Sequence, residues 1–144
     1  MRDDTDEPCA DCGAVGCEAS FHACLAADFS DPAYGQVHHL VVPAYGLQHG
    51  WYTIEAATAM VTFVLDHLDR PPTDHDRRTI RADADGPVQA RAREPRPRRL
   101  AWGGHVGDVD LTTADRYVTT VRRWAGAVAT SLRNADAANE HASG

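Results

Sequence analysis

The apolar residues of this chain recur mostly at steps of three and four, which is the spacing of one face of an α-helix. The first such face lies between residues 18 and 29 and comprises Phe21, Cys24, Leu25 and Phe29. Ser30 and Asp31 then end this helix, and Pro32 begins the next one, because proline is favoured in the first turn of a helix.

Two further helices are predicted before residue 70. The segment 33–49 carries one face formed by Tyr34, His38, Val41, Val42, Tyr45 and His49. Pro43 lies inside it and predicts a kink near residues 39–42, or a break into two pieces, because proline removes a hydrogen bond and clashes with the preceding turn. Thr53 can cap a third helix that runs to about Asp69, before two consecutive prolines.

The second half of the chain contains two helical patterns separated by an irregular stretch. A short fourth helix is predicted from Thr73 to about Arg81. A final helix begins near Thr112, which can form a capping box with Asp115, and its apolar face comprises Tyr117, Val121, Trp124, Val128 and Leu132. Residues 83–110 show no helical period, and short extended pieces are expected at 88–93 and 106–111.

The pattern therefore predicts a mainly α fold, a compact bundle of four to five helices with an N-terminal cysteine-rich metal loop and one long irregular segment. The length of 144 residues fits a single domain. We expect a disordered acidic N-terminus over 1–8, one helical metal-binding domain over 9–134, and a disordered tail over 135–144.

Composition narrows the classes of function. The net charge is −7 and every basic residue is arginine, a bias typical of GC-rich bacterial genomes. Such a charge disfavours binding to nucleic acids or anionic membranes, which requires a basic surface. The N-terminus lacks the apolar stretch of a secretory signal, and no apolar run is long enough to span a membrane, so we expect a cytoplasmic protein.

Four cysteines lie between residues 9 and 24, and in a reducing cytoplasm such a group favours metal binding over disulfides. Cys9 and Cys12 are separated by two residues and followed by Gly13, as in half of a zinc knuckle, and Cys17 can supply a third thiolate. Zinc is the predicted ion, although iron and copper fit the same spacing. The alternative is a redox-active or incidental group of thiols.

The fourth ligand has several candidates, namely Cys24, His22, His38, His39 and His49. Cys24 shares the apolar face of the first helix, which favours a buried structural role. His38 and His49 are eleven residues apart, about 16 Å along a continuous helix, so they cannot share one ion. We predict that His38 is the fourth ligand and that His49 is near but separate, unless a break at Pro43 folds the segment back.

At these residues the chain resembles an uncharacterised bacterial family, a domain of unknown function, marked by CxxCG, a later cysteine before a phenylalanine, and VHxLxVxxYxxQHP. The matching positions are Cys9, Cys12, Gly13, Cys17, Phe21, Val37, His38, Leu40, Val42, Tyr45, Gln48 and His49. The resemblance covers residues 9–50, continues more weakly through 102–109 and 123–125, and implies His38 rather than His39 as a ligand. Gly50 stands where the family usually has proline, and His105 where a small hydroxylic residue is usual.

Three functions remain open from the sequence. A closed site with four protein ligands would only fasten the N-terminal loop to the helices. An open site would make a metal-dependent enzyme acting on a small molecule, with His49 as acid or base and Tyr45, Gln48 and Asp108 orienting the reacting group. The arginine-rich loop 91–99 with Trp102 could instead form a binding or regulatory module. We predict a zinc-binding protein. The sequence leaves its enzyme status, substrate, partner and oligomeric state open.

Overall fold

The computed structural model describes residue 9, residues 12–85 and residues 102–143. Side chains are described up to residue 80 in the first of these ranges and up to residue 135 in the second. Within these residues the backbone forms six α-helices and no strand. The helices are α1 (Cys17–Ser30), α2 (Pro32–Gly35), α3 (His38–Gln48), α4 (Ile54–Asp66), α5 (Asp74–Asp85) and α6 (Ala114–Ser143). The predicted mainly helical fold with an N-terminal cysteine cluster is confirmed.

The segment 33–49 forms two helices, as one of the two predicted outcomes, but the break lies at residues 36–37, before the expected position near residues 39–42. The Asp31 carboxylate accepts a hydrogen bond from Ala33 N at 2.9 Å and so begins α2. A Cβ atom on Gly35 would lie 2.7 Å from Asp28 O, so α2 and the end of α1 approach too closely for a larger residue. α3 then starts at His38 and continues through Pro43.

The next two helices begin as the sequence predicts. The Thr53 hydroxyl accepts a hydrogen bond from Ala56 N at 3.2 Å and caps α4, which ends at Asp66, three residues before the predicted end. Thr73 and Asp76 cap α5 reciprocally, with Asp76 N donating to Thr73 Oγ1 at 3.1 Å and Thr73 N donating to Asp76 Oδ2 at 2.9 Å. α5 continues to Asp85, beyond the predicted end at about Arg81.

Between α5 and α6 the structure corrects two details of the prediction. Residues 106–108 form a 3-10 turn rather than an extended piece. Residues 86–101 lie outside the described residues, and they include the predicted extended piece at 88–93 and the arginine-rich loop 91–99. Thr113, not Thr112, caps α6, since its hydroxyl accepts from Arg116 N at 3.2 Å. The backbone of α6 remains helical to Ser143, past the expected end at Asn134.

The core lies between α3, α4 and α6, with α1 packed against α3. Its largest fully buried side chains include Trp124, Tyr117, Leu40, Leu47 and Gln48. Gln48 joins three parts of the fold, because its amide oxygen accepts from Trp124 Nε1 at 3.0 Å and its amide nitrogen donates to Gly104 O at 2.7 Å. Among the described residues, no helix combines the length and the apolar character needed to cross a membrane.

Candidate metal centre

The candidate metal centre comprises Cys9, Cys12, Cys17 and His49. One ligand atom from each, three thiol sulfurs and one imidazole nitrogen, all lie within 4.8 Å of one another. A tetrahedral zinc ion with Zn–S of about 2.3 Å and Zn–N of about 2.0 Å places sulfur and nitrogen about 3.5 Å apart. The distance from Cys17 Sγ to His49 Nε2 is 3.5 Å. The cluster is therefore close enough to hold a metal ion.

The cysteine loop is a tight turn closed by backbone hydrogen bonds. Gly13 N donates to Cys9 O and Cys9 N donates to Ala14 O, both at 2.9 Å. Gly13 has a φ of 80°, in the left-handed region that glycine adopts without strain. This turn brings Cys9 and Cys12 to the same place, and Cys17 follows as the first residue of α1, where the positive end of the helix dipole favours a thiolate.

His49 directly follows α3 as its C-cap and is oriented by that helix. Its Nδ1 lies 2.7 Å from Tyr45 O, and because a carbonyl oxygen can only accept, Nδ1 carries the proton. The neutral ring then has its lone pair on Nε2, the nitrogen beside Cys17. Metal-binding histidines commonly have this arrangement, in which a backbone carbonyl fixes the tautomer and the ring orientation.

Aromatic side chains cover one side of the cluster. Tyr45 lies between Phe21 and His49, with ring centroids 3.9 Å from each, and is stacked on both. Trp51 packs edge-on against Phe21 and Tyr45, with centroid distances of 6.1 and 5.4 Å. Cys12, Cys17 and His49 are buried and Cys9 is partly buried, so the stack keeps most of the cluster away from water.

Burial disfavours the thiolate form of these cysteines when no cation is present. It raises the pKa of Cys12 to about 12, and the neighbouring Cys9 and Cys17 act in the same direction. Burial is also the main reason why the pKa of Cys17 is raised. A bound cation supplies the positive charge that stabilises thiolates in such a place.

The structure replaces His38 by His49 as the fourth candidate ligand. His38 begins α3 and His49 follows its end, so about 16 Å of helix separates them, and the cysteine loop lies at the His49 end. His38 Nδ1 instead donates to the Asp28 carboxylate at 2.8 Å. The other candidates, His22, His39 and Cys24, are also outside the cluster.

The residues proposed for catalysis lie in different environments. Tyr45 and His49 are at the cluster, and the Tyr45 hydroxyl is 3.9 Å from Cys17 Sγ. Gln48 is fully buried and bonded at both ends of its amide. Asp108 lies in the 3-10 turn, where its Oδ2 accepts from His105 N at 3.0 Å. The catalytic assignment of these four residues stays a prediction.

A second polar cluster was missed by the sequence analysis. Asp28 is buried inside the bundle and accepts hydrogen bonds from His38 Nδ1 at 2.8 Å and from the Tyr117 hydroxyl at 2.5 Å. The signal was present in the sequence, because Asp28 lies four residues after Cys24 on the apolar face of α1, where an acidic residue needs partners.

Comparison with known proteins supports the assignment to a family and says nothing of activity. A family model described as "Family of unknown function (DUF5946)" matches residues 7–133. No curated protein and no solved structure matches the chain significantly. The match spans both the cysteine loop and most of α6, so it covers nearly the whole chain. The protein belongs to the DUF5946 family, a family of unknown function.

Proposed function

We propose that this protein is a zinc-binding protein of the bacterial cytoplasm in which Cys9, Cys12, Cys17 and His49 form a closed structural site. The observation that carries the proposal is the convergence of these four ligand atoms within 4.8 Å from two separate parts of the chain. Three thiolates and one imidazole are a common ligand set of structural zinc, which prefers four tetrahedral ligands. The metal would fasten the N-terminal loop to the end of α3.

Zinc is favoured over the redox metals by the donor set. Thiolate and imidazole suit zinc, whereas iron–sulfur clusters are usually held by four thiolates and type 1 copper sites by two histidines with one cysteine. The four cysteines form no disulfide in the structure, which is the state expected in a reducing compartment. Four protein ligands of this kind therefore support zinc in a cytoplasmic protein.

A closed site is favoured over a catalytic one because four protein ligands fill a tetrahedral ion. A catalytic zinc keeps one position for water or substrate. His49 would use Nε2 for the metal while Nδ1 donates to Tyr45 O, so neither nitrogen would remain for acid–base catalysis. The proposal thus assigns His49 to the metal, and Tyr45 to covering and orienting it.

Elemental analysis combined with metal-edge X-ray absorption tests this proposal. We expect one zinc per chain, coordinated by three sulfurs and one nitrogen, without a bound water. His49→Ala should remove the nitrogen from the absorption spectrum and weaken zinc binding by at least tenfold, whereas the matched variant His38→Ala should leave both unchanged.

Three results would contradict the proposal. Zinc content that is unchanged in Cys12→Ser would show that the cluster is not the site. Loss of the nitrogen signal in His38→Ala rather than in His49→Ala would restore the original prediction. Three protein ligands and one water would favour the metal-dependent enzyme instead of the closed site.

A further inference from the structure

A large cavity lies away from the cysteine cluster, between α3, α4, α5 and α6. Its volume is about 920 Å³, which is within the range of small-molecule sites. Its lining includes the aromatic side chains Trp51, Tyr52 and Phe63 and the basic side chains Arg70, Arg77 and Arg122. We call it the arginine cavity.

The aromatic part of the wall is built by a sharp turn after α3. Gly50 has a φ of 68°, and Trp51 N donates to Gly46 O at 3.0 Å, so the chain folds back over the end of α3. Trp51 and Tyr52 lie so close to Gly46 that a Cβ atom there would be within 2.9 Å of both rings. This turn places two aromatic rings, which offer flat apolar surface to a ligand, at one side of the cavity.

The basic part of the wall is contributed by three different segments. Arg70 follows α4, Arg77 belongs to α5 and Arg122 belongs to α6. Of the described residues that line the cavity, none is acidic, although the chain as a whole has a net charge of −7. Asp74 pairs with Arg77 at 3.5 Å, but both side chains are largely exposed and water screens the pair. Positive charge is thus concentrated at this cavity in an acidic protein.

Arg122 is the least exposed of the three arginines at the cavity. Its Nε is buried and has no hydrogen-bond partner among the described residues. A buried donor of a charged group without a partner is costly, and an anion bound by the guanidinium of Arg122 would offset that cost. The pKa of His39, another lining residue, is lowered chiefly by burial, and the positive charges of Arg77 and Arg122 lower it further.

We propose that the arginine cavity binds a small aromatic carboxylic acid. The planar guanidinium of Arg122 matches a carboxylate, with which it forms short charge-assisted hydrogen bonds. The rings of Trp51, Tyr52 and Phe63 form apolar surface for the body of the ligand. This site contains none of the four candidate metal ligands, but Trp51 also packs against the aromatic stack that covers them.

Calorimetric titration of the full chain with 2-naphthoate and with its neutral isostere 2-naphthamide tests the proposal. We expect 2-naphthoate to bind, and 2-naphthamide to bind at least tenfold more weakly, since only the acid carries a charge for the arginines. Arg122→Met keeps the aliphatic stem but removes the guanidinium, and it should weaken naphthoate binding by at least tenfold. The control Arg123→Met, at an exposed neighbouring position of α6, should bind like the wild type.

A second variant keeps the test decisive if Arg122→Met does not fold. Arg70 is exposed, so Arg70→Ala should fold normally and should weaken naphthoate binding at least threefold. Equal affinity for the acid and the amide, absence of naphthoate binding, or equal effects of Arg122→Met and Arg123→Met would each overturn the proposal. Inorganic phosphate that binds as tightly as naphthoate would also overturn it, because the aromatic wall would then have no role.

Discussion

Three histidines in this fold, the buried His49 and His67 and the half-buried His39, are held by backbone carbonyls, and each carbonyl fixes which ring nitrogen carries a proton. His39 Nε2 donates to His67 O at 2.8 Å, and His67 Nδ1 donates to Phe63 O at 2.8 Å. His49 Nδ1 donates to Tyr45 O in the same way. The neutral form of His39 already donates this hydrogen bond to His67 O. A second proton on the ring therefore adds little stabilisation, and burial disfavours the positive charge that it brings.

The lowered pKa of His39 predicts a loss of stability in mild acid. Burial is the main cause, and it shifts the pKa below the ordinary value of 6.5. A histidine whose folded-state pKa is lowered contributes stability above the unfolded-state pKa, and this contribution is lost as the pH falls below it. We therefore expect the wild type to lose more unfolding free energy between about pH 7.5 and about pH 5.5 than His39→Gln, whose amide can still donate to His67 O.

Urea unfolding of both proteins at the two pH values measures this difference. His22→Gln is a suitable control, because His22 is exposed and its ion pair with Glu18, at 3.7 Å, is exposed as well. This variant should therefore keep the pH dependence of the wild type. If His39→Gln shows the same loss of stability as the wild type, His39 is not the group responsible.

At the scale of the helices, the sequence predicted most elements because periodic apolar residues and caps act locally. Thr53 caps α4 as expected, and the apolar face of α6 is buried as predicted. The position of the break at residues 36–37 was not predictable in the same way, since it lies beside a close approach of Gly35 to Asp28 of another helix, a contact that local patterns do not reveal. The extension of α6 to Ser143 reflects the intrinsic helix propensity of its alanine-rich end. The sequence analysis missed it because this end has no apolar face.

The junction of α3, α6 and the loop before the 3-10 turn depends on one amide. Gln48 accepts from Trp124 Nε1 and donates to Gly104 O, and it is completely buried. Gln48→Leu would keep the approximate volume but leave both partners unsatisfied. Since each unsatisfied buried group costs about 1–3 kcal/mol, the two together lead us to expect a loss of about 2–6 kcal/mol of unfolding free energy.

Chemical denaturation together with zinc analysis would check the role of Gln48. Zinc stoichiometry should remain at the wild-type value, since Gln48 is not among the candidate ligands. Gln36→Leu serves as the control and should change stability by less than about 0.5 kcal/mol, because Gln36 is exposed. A Gln48→Leu protein as stable as the wild type would mean that its hydrogen bonds do not support the junction.

At the scale of the whole molecule, the sequence identified three of the four candidate ligands but not the fourth. The spacing of Cys9, Cys12 and Cys17 is a local signal that a short loop can satisfy by itself. Local sequence does not decide whether His38 or His49 is the fourth ligand, because both lie on the same predicted helix face. What decides it is that the cysteine loop docks at the end of α3 where His49 lies. The family match over residues 7–133 confirms the resemblance but does not decide this choice.

The position of the cluster, where the N-terminal loop meets the start of α1 and the end of α3, predicts what removal of the metal would do. The core between α3 and α6, which includes Leu40, Val121 and Trp124, is buried and contains none of the four candidate ligands. Structural zinc stabilises the parts of a fold that it joins. We therefore expect a chelator to lower the melting temperature and to release the loop, while most of the helical circular dichroism is retained.

Hydrogen exchange measured with and without chelator would distinguish this local effect from global unfolding. Amides of residues 12–20 and 45–52 should exchange at least tenfold faster in the chelated protein, because they flank the four candidate ligands. Amides of residues 121–132, in the buried part of α6, should change little. Equal acceleration along the described chain would mean that the metal supports the whole fold, and unchanged exchange at both flanks would mean that these residues hold no structural metal.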